Sequence, residues 1–204
     1  MANLTMKILQ EQINELRNEV AMLKDSSKVL QIQKGLGVGD TFELAGLTWK
    51  ILDITDKGYM CLADKLEERM VFDANVNKWH ESSLRDHLNT EFLKLISDEI
   101  GEDNIVSFER DLLSLDGQKE YGSCEDKVSL LNVDEYRKYR SLIPNTDDYW
   151  WWLITPWSTP CNDYKTSVTV VSSSGHIYYD RCRNNGGVRP FCILKSNIFV
   201  SKGE

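Results

Sequence analysis

The stretch HIYYDRCRNNGGVRPFCIL, residues 176–194, joins two kinds of sequence. Its second half, VRPFCIL, is apolar and predicts the last strand of a folded domain. Its first half places His, Tyr, Asp, Arg, Cys and Asn side by side. An active site, a metal site and a contact surface all use such side chains, so the rest of the sequence has to decide among them.

Strands are predicted where apolar and polar residues alternate or where β-branched residues cluster. Those regions are residues 41–54, 58–63, 167–173, 176–179 and 188–194. The first region contains Ala45-Gly46 between two alternating runs, which predicts a hairpin. The strands at 167–173 and 176–179 are expected to be joined through Ser174-Gly175.

Two helices are predicted between these strands. Over residues 82–97 the apolar residues recur every three or four positions, and Ser82 or Ser83 is the expected N-cap. Asn132, with Glu135 three residues later, has the signature of a capping box and predicts the start of the second helix.

The chain is predicted to have three parts. Residues 41–200 form an α+β domain, because short antiparallel strands and two helices are segregated along this region. Residues 33–40 contain regularly spaced glycines and predict a flexible linker. Residues 1–32 predict a coiled-coil helix. Its heptad places Met6, Ile13, Val20 and Ser27 at position a and Leu9, Leu16, Leu23 and Leu30 at position d.

An apolar stripe of two positions in seven favours self-association of this N-terminal helix. We expect a homo-oligomer, either a dimer or a trimer. The alternative is a single amphipathic helix that docks on its own domain.

Composition excludes several other partners. The chain has 204 residues and a formal net charge of −8, which provides no global basic field for nucleic acid. No apolar run approaches the ~20 residues that span a bilayer, so membrane insertion is not expected. The N-terminus lacks the apolar region of a signal peptide, and we therefore expect synthesis in the cytoplasm without signal-dependent export.

Four motifs occur in order along the predicted domain. They are KWHESSLRDHLNTEFL at 78–93, DKVSLLNVDEY at 126–136, YWWWLITPW at 149–157, and SSSGHIYY followed by GGVRPFCIL at 172–194. Together they resemble a domain family of Firmicutes and their phages that has a C-type-lectin-like fold. The resemblance covers about residues 41–195. Asn132 departs from the usual Ser or Thr of the second motif, and Ile154 from the frequent Arg of the third.

The resemblance implies a ligand-binding role. Diversity-generating retroelements use the C-terminal face of this fold as a variable binding surface. The implied protein is a phage or prophage receptor-binding adhesin, virion-associated, whose ligand is a cell-surface protein or glycan. Residues 166–194 contain none of Lys, Gln, Glu, Met or Trp, the residue types that adenine mutagenesis of Asn codons cannot produce. The alternative reason is that strands and glycine turns disfavour those residue types.

The predicted contact surface follows from the same stretch. Tyr provides stiff amphipathic contact area, while Asn, Ser and Asp provide adaptable hydrogen bonds. Ile177 and Tyr179 are predicted to point inward, because adjacent side chains on a strand alternate between faces. The predicted ligand-binding residues are Trp157, Ser158, Asn162, Asp163, Tyr164, His176, Tyr178, Asp180, Arg181, Arg183, Asn184 and Asn185.

An enzymatic alternative remains, because formylglycine-generating enzymes share the fold that the resemblance implies. Such an oxidase would use Cys182 and Cys192, yet Cys192 lies in an apolar strand, a poor setting for a reactive thiolate. The five cysteines include no CxxC pair, and the three histidines show no ligand spacing. We therefore predict a binding protein with no catalytic residues, metal or cofactor.

Overall fold

The computed structural model describes residues 36–66, 68–146 and 148–198, together with the backbone of residues 201–202. The predicted coiled coil at 1–32 and the first residues of the predicted linker lie outside the described residues. Across the described ranges, no helix has the length and apolar character needed to cross a membrane.

The described residues form a mixed α/β fold in which paired strands are antiparallel. The strands are β1 Thr41–Leu44, β2 Leu47–Thr55, β3 Gly58–Ala63, β4 Met70–Val71, β5 Ile105–Val106, β6 Phe108–Asp111, β7 Ser123–Asp126, β8 Val128–Ser129, β9 Trp151–Pro156, β10 Ser167–Val171, β11 Ile177–Arg181, β12 Asn185–Gly186, β13 Phe191–Leu194 and β14 Ser201–Lys202. The helices are α1 Ser83–His87, α2 Leu93–Ile100 and α3 Val133–Lys138, with short 3₁₀ turns at Trp79–Glu81, Glu102–Asn104, Arg140–Leu142 and Pro160–Asn162.

The principal sheet has the order β14-β1-β2-β3-β13-β5, and β8 also pairs with β13. The predicted hairpin is confirmed: β1 and β2 pair from Thr41↔Lys50 to Leu44↔Leu47. Its two turn residues both have positive φ, 54° at Ala45 and 72° at Gly46, as a type I′ turn requires.

The apolar end of the quoted stretch becomes β13, as predicted. All four residues of β13 are buried, and the strand is paired with β3 on one side and with β5 and β8 on the other. A strand that is interior to a sheet and covered on both faces has no polar side, which explains why it lacks the alternation of a surface strand.

Residues 36–40, the described part of the predicted linker, pack against this sheet. Leu36 is buried, and the Gly39 amide donates to the Ile51 carbonyl at 2.8 Å. The packed region therefore reaches back to Leu36, while the division of the chain at residue 41 stays a prediction.

The principal helical segment runs through α1, a π-helical turn at Leu88–Phe92, and α2. Ser82 is its N-cap, as predicted, and accepts a hydrogen bond from the Arg85 amide. The π turn was not predicted. It coincides with Asn89, whose side chain accepts from the Val128 amide at 3.1 Å and donates to the Val128 carbonyl at 2.7 Å.

The first two quoted motifs contact each other through buried polar bonds. The Trp79 indole donates to Asp126 at 2.7 Å, and the Arg85 guanidinium binds the same carboxylate at 2.6 Å. The predicted capping box of α3 is confirmed, since Asn132 and Glu135 each accept from the other's backbone amide. These motif residues are therefore part of the structural core.

A second sheet has the order β11-β10-β9 and carries the residues of interest. Every residue of β9 is buried: Trp152 and Ile154 pack in one hydrophobic cluster, and Trp151 and Leu153 pack in another. The sheet is thus covered on both faces along β9, whereas β11 is its edge strand and is largely exposed.

The glycines before β13 are required by close packing. A Cβ on Gly186 would lie 2.3 Å from the Trp150 ring, and one on Gly187 would lie 2.7 Å from the Tyr149 ring. Their φ angles are not positive, so this steric requirement, and not a turn conformation, explains both glycines. Arg189 follows them, is buried and donates to the Ala63 carbonyl at 3.1 Å.

Candidate ligand-binding site

The loop between β9 and β10, residues 157–166, is fixed to the domain by one buried side chain. Asn77 is 0 % exposed. Its amide donates to three main-chain carbonyls at the ends of this loop: those of Ser158 at 2.9 Å, Tyr164 at 3.0 Å and Ser167 at 2.8 Å. The Tyr121 hydroxyl donates to the remaining oxygen of Asn77 at 2.7 Å. A loop that is held this way presents its side chains from a fixed backbone.

Three aromatic rings form a continuous strip beside this loop. The Trp157 and Tyr179 rings lie 4.5 Å apart between centroids, and the Tyr179 and Tyr178 rings are stacked at 5.3 Å. Tyr178 is 62 % exposed and Tyr179 is 38 % exposed. We call Trp157, Tyr179 and Tyr178 the aromatic strip.

The prediction that Tyr179 points inward is wrong. Tyr179 lies opposite Thr169 in the β10–β11 register, and its ring contacts Trp157 at the surface. Tyr179 shares its face of β11 with Ile177, but neither hydrophobic cluster extends to Tyr179, so that face is not covered by the core there. Ile177, the other residue predicted inward, is half-buried and packs against the second hydrophobic cluster.

A cleft of about 320 Å³ opens beside Trp157, and we call it the polar cleft after the hydrogen-bonded polar groups in its lining. Its lining residues are Leu115, Asp116, Trp157, Ser158, Asn162 and Tyr164. The Asp116 carboxylate accepts hydrogen bonds from Ser158 at 2.6 Å and from Asn162 at 2.9 Å. Burial alone would raise the pKa of Asp116, but hydrogen bonds from Ser114, Ser158 and Asn162 outweigh it and lower the pKa. The cleft therefore presents an ionised carboxylate at neutral pH.

A second cleft of about 240 Å³ carries the opposite charge, and we call it the basic cleft. It is lined by Ala74, Asn75, Lys165, Thr166, Arg181, Cys182 and Arg183. Arg181 lies two residues after Tyr179 on β11, so both side chains leave the same face of the strand. Tyr164 lines the polar cleft and Lys165 the basic one, so the same loop borders both clefts.

The remaining predicted residues are not in the clefts. Asp180 accepts from the Arg181 amide and the Asn184 side chain, both at 2.7 Å, which organises the turn after β11. Asn185 is exposed and pairs with Val71 in the β12–β4 ribbon. His176 lies at the opposite end of β11, where its amide donates to Ser172.

One predicted loop residue, Asp163, also has a structural role. It is exposed with a left-handed φ of 62° and ends the 3₁₀ turn Pro160–Asn162. The structure therefore groups Trp157, Ser158, Asn162 and Tyr164 at one cleft and Arg181 with Arg183 at the other.

Two charged residues at the site, Asp116 and Lys165, were not predicted from the sequence. Asp116 precedes Gly117, a dipeptide that signals a turn, but it contacts residues more than forty positions away in sequence. Lys165 stands outside the quoted stretch and carries no motif. Only the tertiary contacts of the loop bring these side chains to the clefts.

The cysteines of the enzymatic alternative occupy different surroundings. Cys192 lies directly opposite Cys61 in the β13–β3 register, and both are buried. Burial raises the pKa of the Cys192 thiol well above its usual range. Burial, followed by the charge of Asp73, also raises the pKa of the Cys182 thiol. Within the described ranges, no group of three or more His, Cys, Asp or Glu residues is arranged to hold a metal ion.

A wider groove of about 480 Å³ lies away from these clefts. It contains no predicted ligand-binding residue and is mostly apolar. Its lining consists of Ala45, Leu47, Leu66, Glu68, Met70, His87, Glu91, Phe92 and Leu95.

Comparison with known protein families gives one finding. Residues 56–196 match the family described as "Domain of unknown function (DUF6273)". No curated protein and no solved structure matches the chain. The match contains the aromatic strip and all of the residues that line both clefts.

Proposed function

Since this chain belongs to DUF6273, a family of domains of unknown function, we propose its function from its own surface: it is a ligand-binding adhesion protein. The observation that carries the proposal is the aromatic strip beside two clefts of opposite charge: Trp157 lines the polar cleft, and Tyr179 shares a face of β11 with Arg181 of the basic cleft. Rigid aromatic side chains provide contact area at low entropic cost, and the flanking polar groups provide orientation. Residues predicted as a contact surface supply much of this arrangement.

The proposal also covers the fold of the domain, its biological role and its assembly. We assign the domain to a C-type-lectin-like fold, on the motifs at 78–93, 126–136, 149–157 and 172–194. The biological role is that of a phage or prophage receptor-binding protein, with a cell-surface protein or glycan as ligand. The predicted N-terminal coiled coil would assemble the binding domains as a homo-oligomer, which increases avidity.

Diversification by a retroelement is supported by the residue types of 166–194, and genomic DNA provides its test. A near-copy of the codons for residues 150–195, differing at adenines and lying beside a reverse-transcriptase gene, is the expected observation. A locus with neither feature would remove diversification from the proposal and leave ligand binding to be tested separately.

The binding proposal is tested by a fourfold alanine substitution. Tyr178, Arg181, Arg183 and Asn184 are all exposed, and changes at such positions usually alter stability by less than about 0.5 kcal/mol each. Aromatic and Arg anchors each contribute about 2 kcal/mol or more to binding at an interface. We therefore expect the variant to melt near the temperature of the unchanged protein and to lose capture of intact Firmicutes cells.

The matched control is alanine at four exposed positions outside the clefts. Asp56, Lys57, Lys94 and Glu99 serve this purpose. The control variant should capture cells as the unchanged protein does. Equal capture by both fourfold variants would refute the binding-surface assignment, and a collapse of the melting temperature in the first variant would show that its side chains belong to the core.

A further inference from the structure

We propose that the ligand is an acidic glycan, whose sugar rings lie on the aromatic strip and whose carboxylate or sulfate groups enter the basic cleft. This inference rests on the proposed binding function and adds the chemical class of the ligand. It is carried by three features: unpaired cations in one cleft, a carboxylate in the other, and an aromatic strip that adjoins one cleft through Trp157 and the other through β11.

The cations of the basic cleft have no ionic partner in the described part of the chain. Lys165, Arg181 and Arg183 are exposed, and none of them forms one of the salt bridges found among the described residues. The protein carries a formal net charge of −8 and 32 acidic residues, so leaving three cations around one cleft is unusual for this chain. Such a cleft attracts an anionic group.

Two acidic side chains near this cleft are already engaged: Asp180 accepts from the Arg181 amide and the Asn184 side chain, and Asp73 accepts from backbone amides. Asp73 acts electrostatically on Cys182 in the cleft lining. Its carboxylate accepts from the backbone amides of Asn75, Val76 and Ser83. It therefore stabilises local backbone and is not an ion-pair partner of the cleft cations.

The spacing along β11 suits a ring bearing an acidic group. Tyr179 and Arg181 are two residues apart on one face, a distance of about 7 Å along a strand. Tyr178 and Trp157 extend the ring surface to either side of Tyr179. A ring that stacks on Tyr179 can thus place an attached carboxylate or sulfate at Arg181.

The polar cleft favours a glycan over a nucleic acid. The ionised Asp116 lies beside Trp157. A nucleic acid has a phosphate at every nucleotide, so a strand bound along the rings would place negative charge next to the Asp116 carboxylate. The hydroxyl groups of a sugar can instead donate to the Asp116 carboxylate and accept from the Asn162 amide. Hydroxyls at Asp116, beside Trp157, and an acidic group at Arg181, beside Tyr179, match the two clefts.

The experiment uses the full chain and two matched pairs of polymers. Polygalacturonate and its fully methyl-esterified form differ only in carboxylate charge, and dextran sulfate and dextran differ only in sulfate. Isothermal titration calorimetry is performed at low salt and repeated at about 300 mM NaCl, where exposed charge interactions are largely screened. We expect binding to at least one acidic polymer, with its neutral counterpart about tenfold weaker or more, and a loss of affinity at high salt.

Two charge variants test the position of the site. Lys165→Gln, Arg181→Gln and Arg183→Gln together should weaken acidic-polymer binding by about tenfold or more. Lys57→Gln, Lys94→Gln and Lys195→Gln together make the same change in net charge at exposed positions outside the cleft and should leave binding nearly unchanged. Thermal unfolding of each variant confirms that it is folded.

The outcomes separate this inference from the proposed function. Equal binding of acidic and neutral polymers, equal effects of the two charge variants, or no binding to any of the four polymers would overturn the acidic-glycan inference. Binding of an oligothymidylate at least as tightly as the polymers would assign the site to nucleic acid instead. In each case capture of intact cells, lost in the fourfold alanine variant, would still support the binding function.

Discussion

Replacement of Asn77 by Ala should loosen the loop that supports the candidate site. The substitution removes three donated hydrogen bonds and the acceptor of the Tyr121 hydroxyl. The bonds to the Ser158 and Ser167 carbonyls are fully buried, so water does not readily replace the lost donor. A buried polar group without a partner costs about 1–3 kcal/mol.

The expected loss of unfolding free energy is about 2 kcal/mol, because the buried Ser158 carbonyl loses its donor, whereas the Ser167 carbonyl still accepts from the Trp157 amide at 3.0 Å. For a protein of this size, each 1 kcal/mol lowers the melting temperature by about 2–4 °C. The melting temperature should therefore fall by about 4–8 °C. Differential scanning calorimetry of Asn77→Ala against the unchanged protein measures this difference directly.

Tyr121→Phe is the matched control. It removes only the hydrogen bond that Asn77 accepts, and its expected cost is about 1 kcal/mol. The reasoning requires Asn77→Ala to be clearly more destabilising than Tyr121→Phe and to increase hydrogen exchange in residues 157–166. A cost for Asn77→Ala equal to or below that of Tyr121→Phe, with unchanged exchange in the loop, would refute it.

Three further outcomes are expected. Arg189→Ala should lower the free energy of unfolding by about 2 kcal/mol, because it removes a buried guanidinium together with its packing and its hydrogen bond to the Ala63 carbonyl. An unchanged melting temperature would contradict this. Removal of residues 1–32 should leave a folded domain that sediments as a monomer, whereas the full chain sediments as an oligomer; identical sedimentation would argue against the coiled-coil prediction. Cys161 should be the first cysteine to be alkylated, because it is exposed. Hydrogen bonding to Glu120 raises the pKa of this thiol, so Glu120→Gln should accelerate the alkylation of Cys161 at pH 8. Mass spectrometry of the labelled peptides gives the rates, and an unchanged rate in Glu120→Gln would remove Glu120 as the cause.

The pH dependence of stability follows from the carboxylates with lowered pKa. Hydrogen bonds to Lys138 and Tyr139 lower the pKa of Asp53, and the bonds described above lower that of Asp116. A carboxylate whose pKa is lower in the folded state contributes stability above its unfolded pKa, and this contribution disappears as pH falls through the folded value. Asp116→Asn should therefore destabilise the protein at pH 7 and differ little from the unchanged protein in strongly acidic solution. An equal loss of stability in Asp116→Asn at pH 7 and in strongly acidic solution would contradict the lowered pKa of Asp116.

Sequence predicts the parts of this fold whose causes lie within a few residues. The turn at Ala45-Gly46, the N-cap at Ser82 and the capping box from Asn132 each depend on neighbours no more than three positions away. The apolar strand β13 is predictable because burial on both faces leaves a continuous apolar run. Local chemistry is sufficient at these places.

Other features depend on partners distant in sequence, which a single sequence does not identify. The π turn at Leu88–Phe92 forms where Asn89 bonds residues 127 and 128. Tyr179 is exposed because neither hydrophobic cluster extends over its part of β11, which depends on tertiary packing. Asp116 reaches the site only through Ser158 and Asn162. The candidate surface was therefore predicted by its residue types, and its division into two clefts of opposite charge was not.

The way in which Asn77 holds its loop has a consequence for protein engineering. Its three acceptors are main-chain carbonyls, and every amino acid at those positions would supply the same oxygen. Exposed loop positions 161, 162, 164 and 165 can therefore be randomised in a combinatorial library that omits proline, while position 163 keeps Asp, Asn or Gly because its φ is 62°. The domain thus offers a scaffold on which new specificities can be selected while position 77 is kept as Asn.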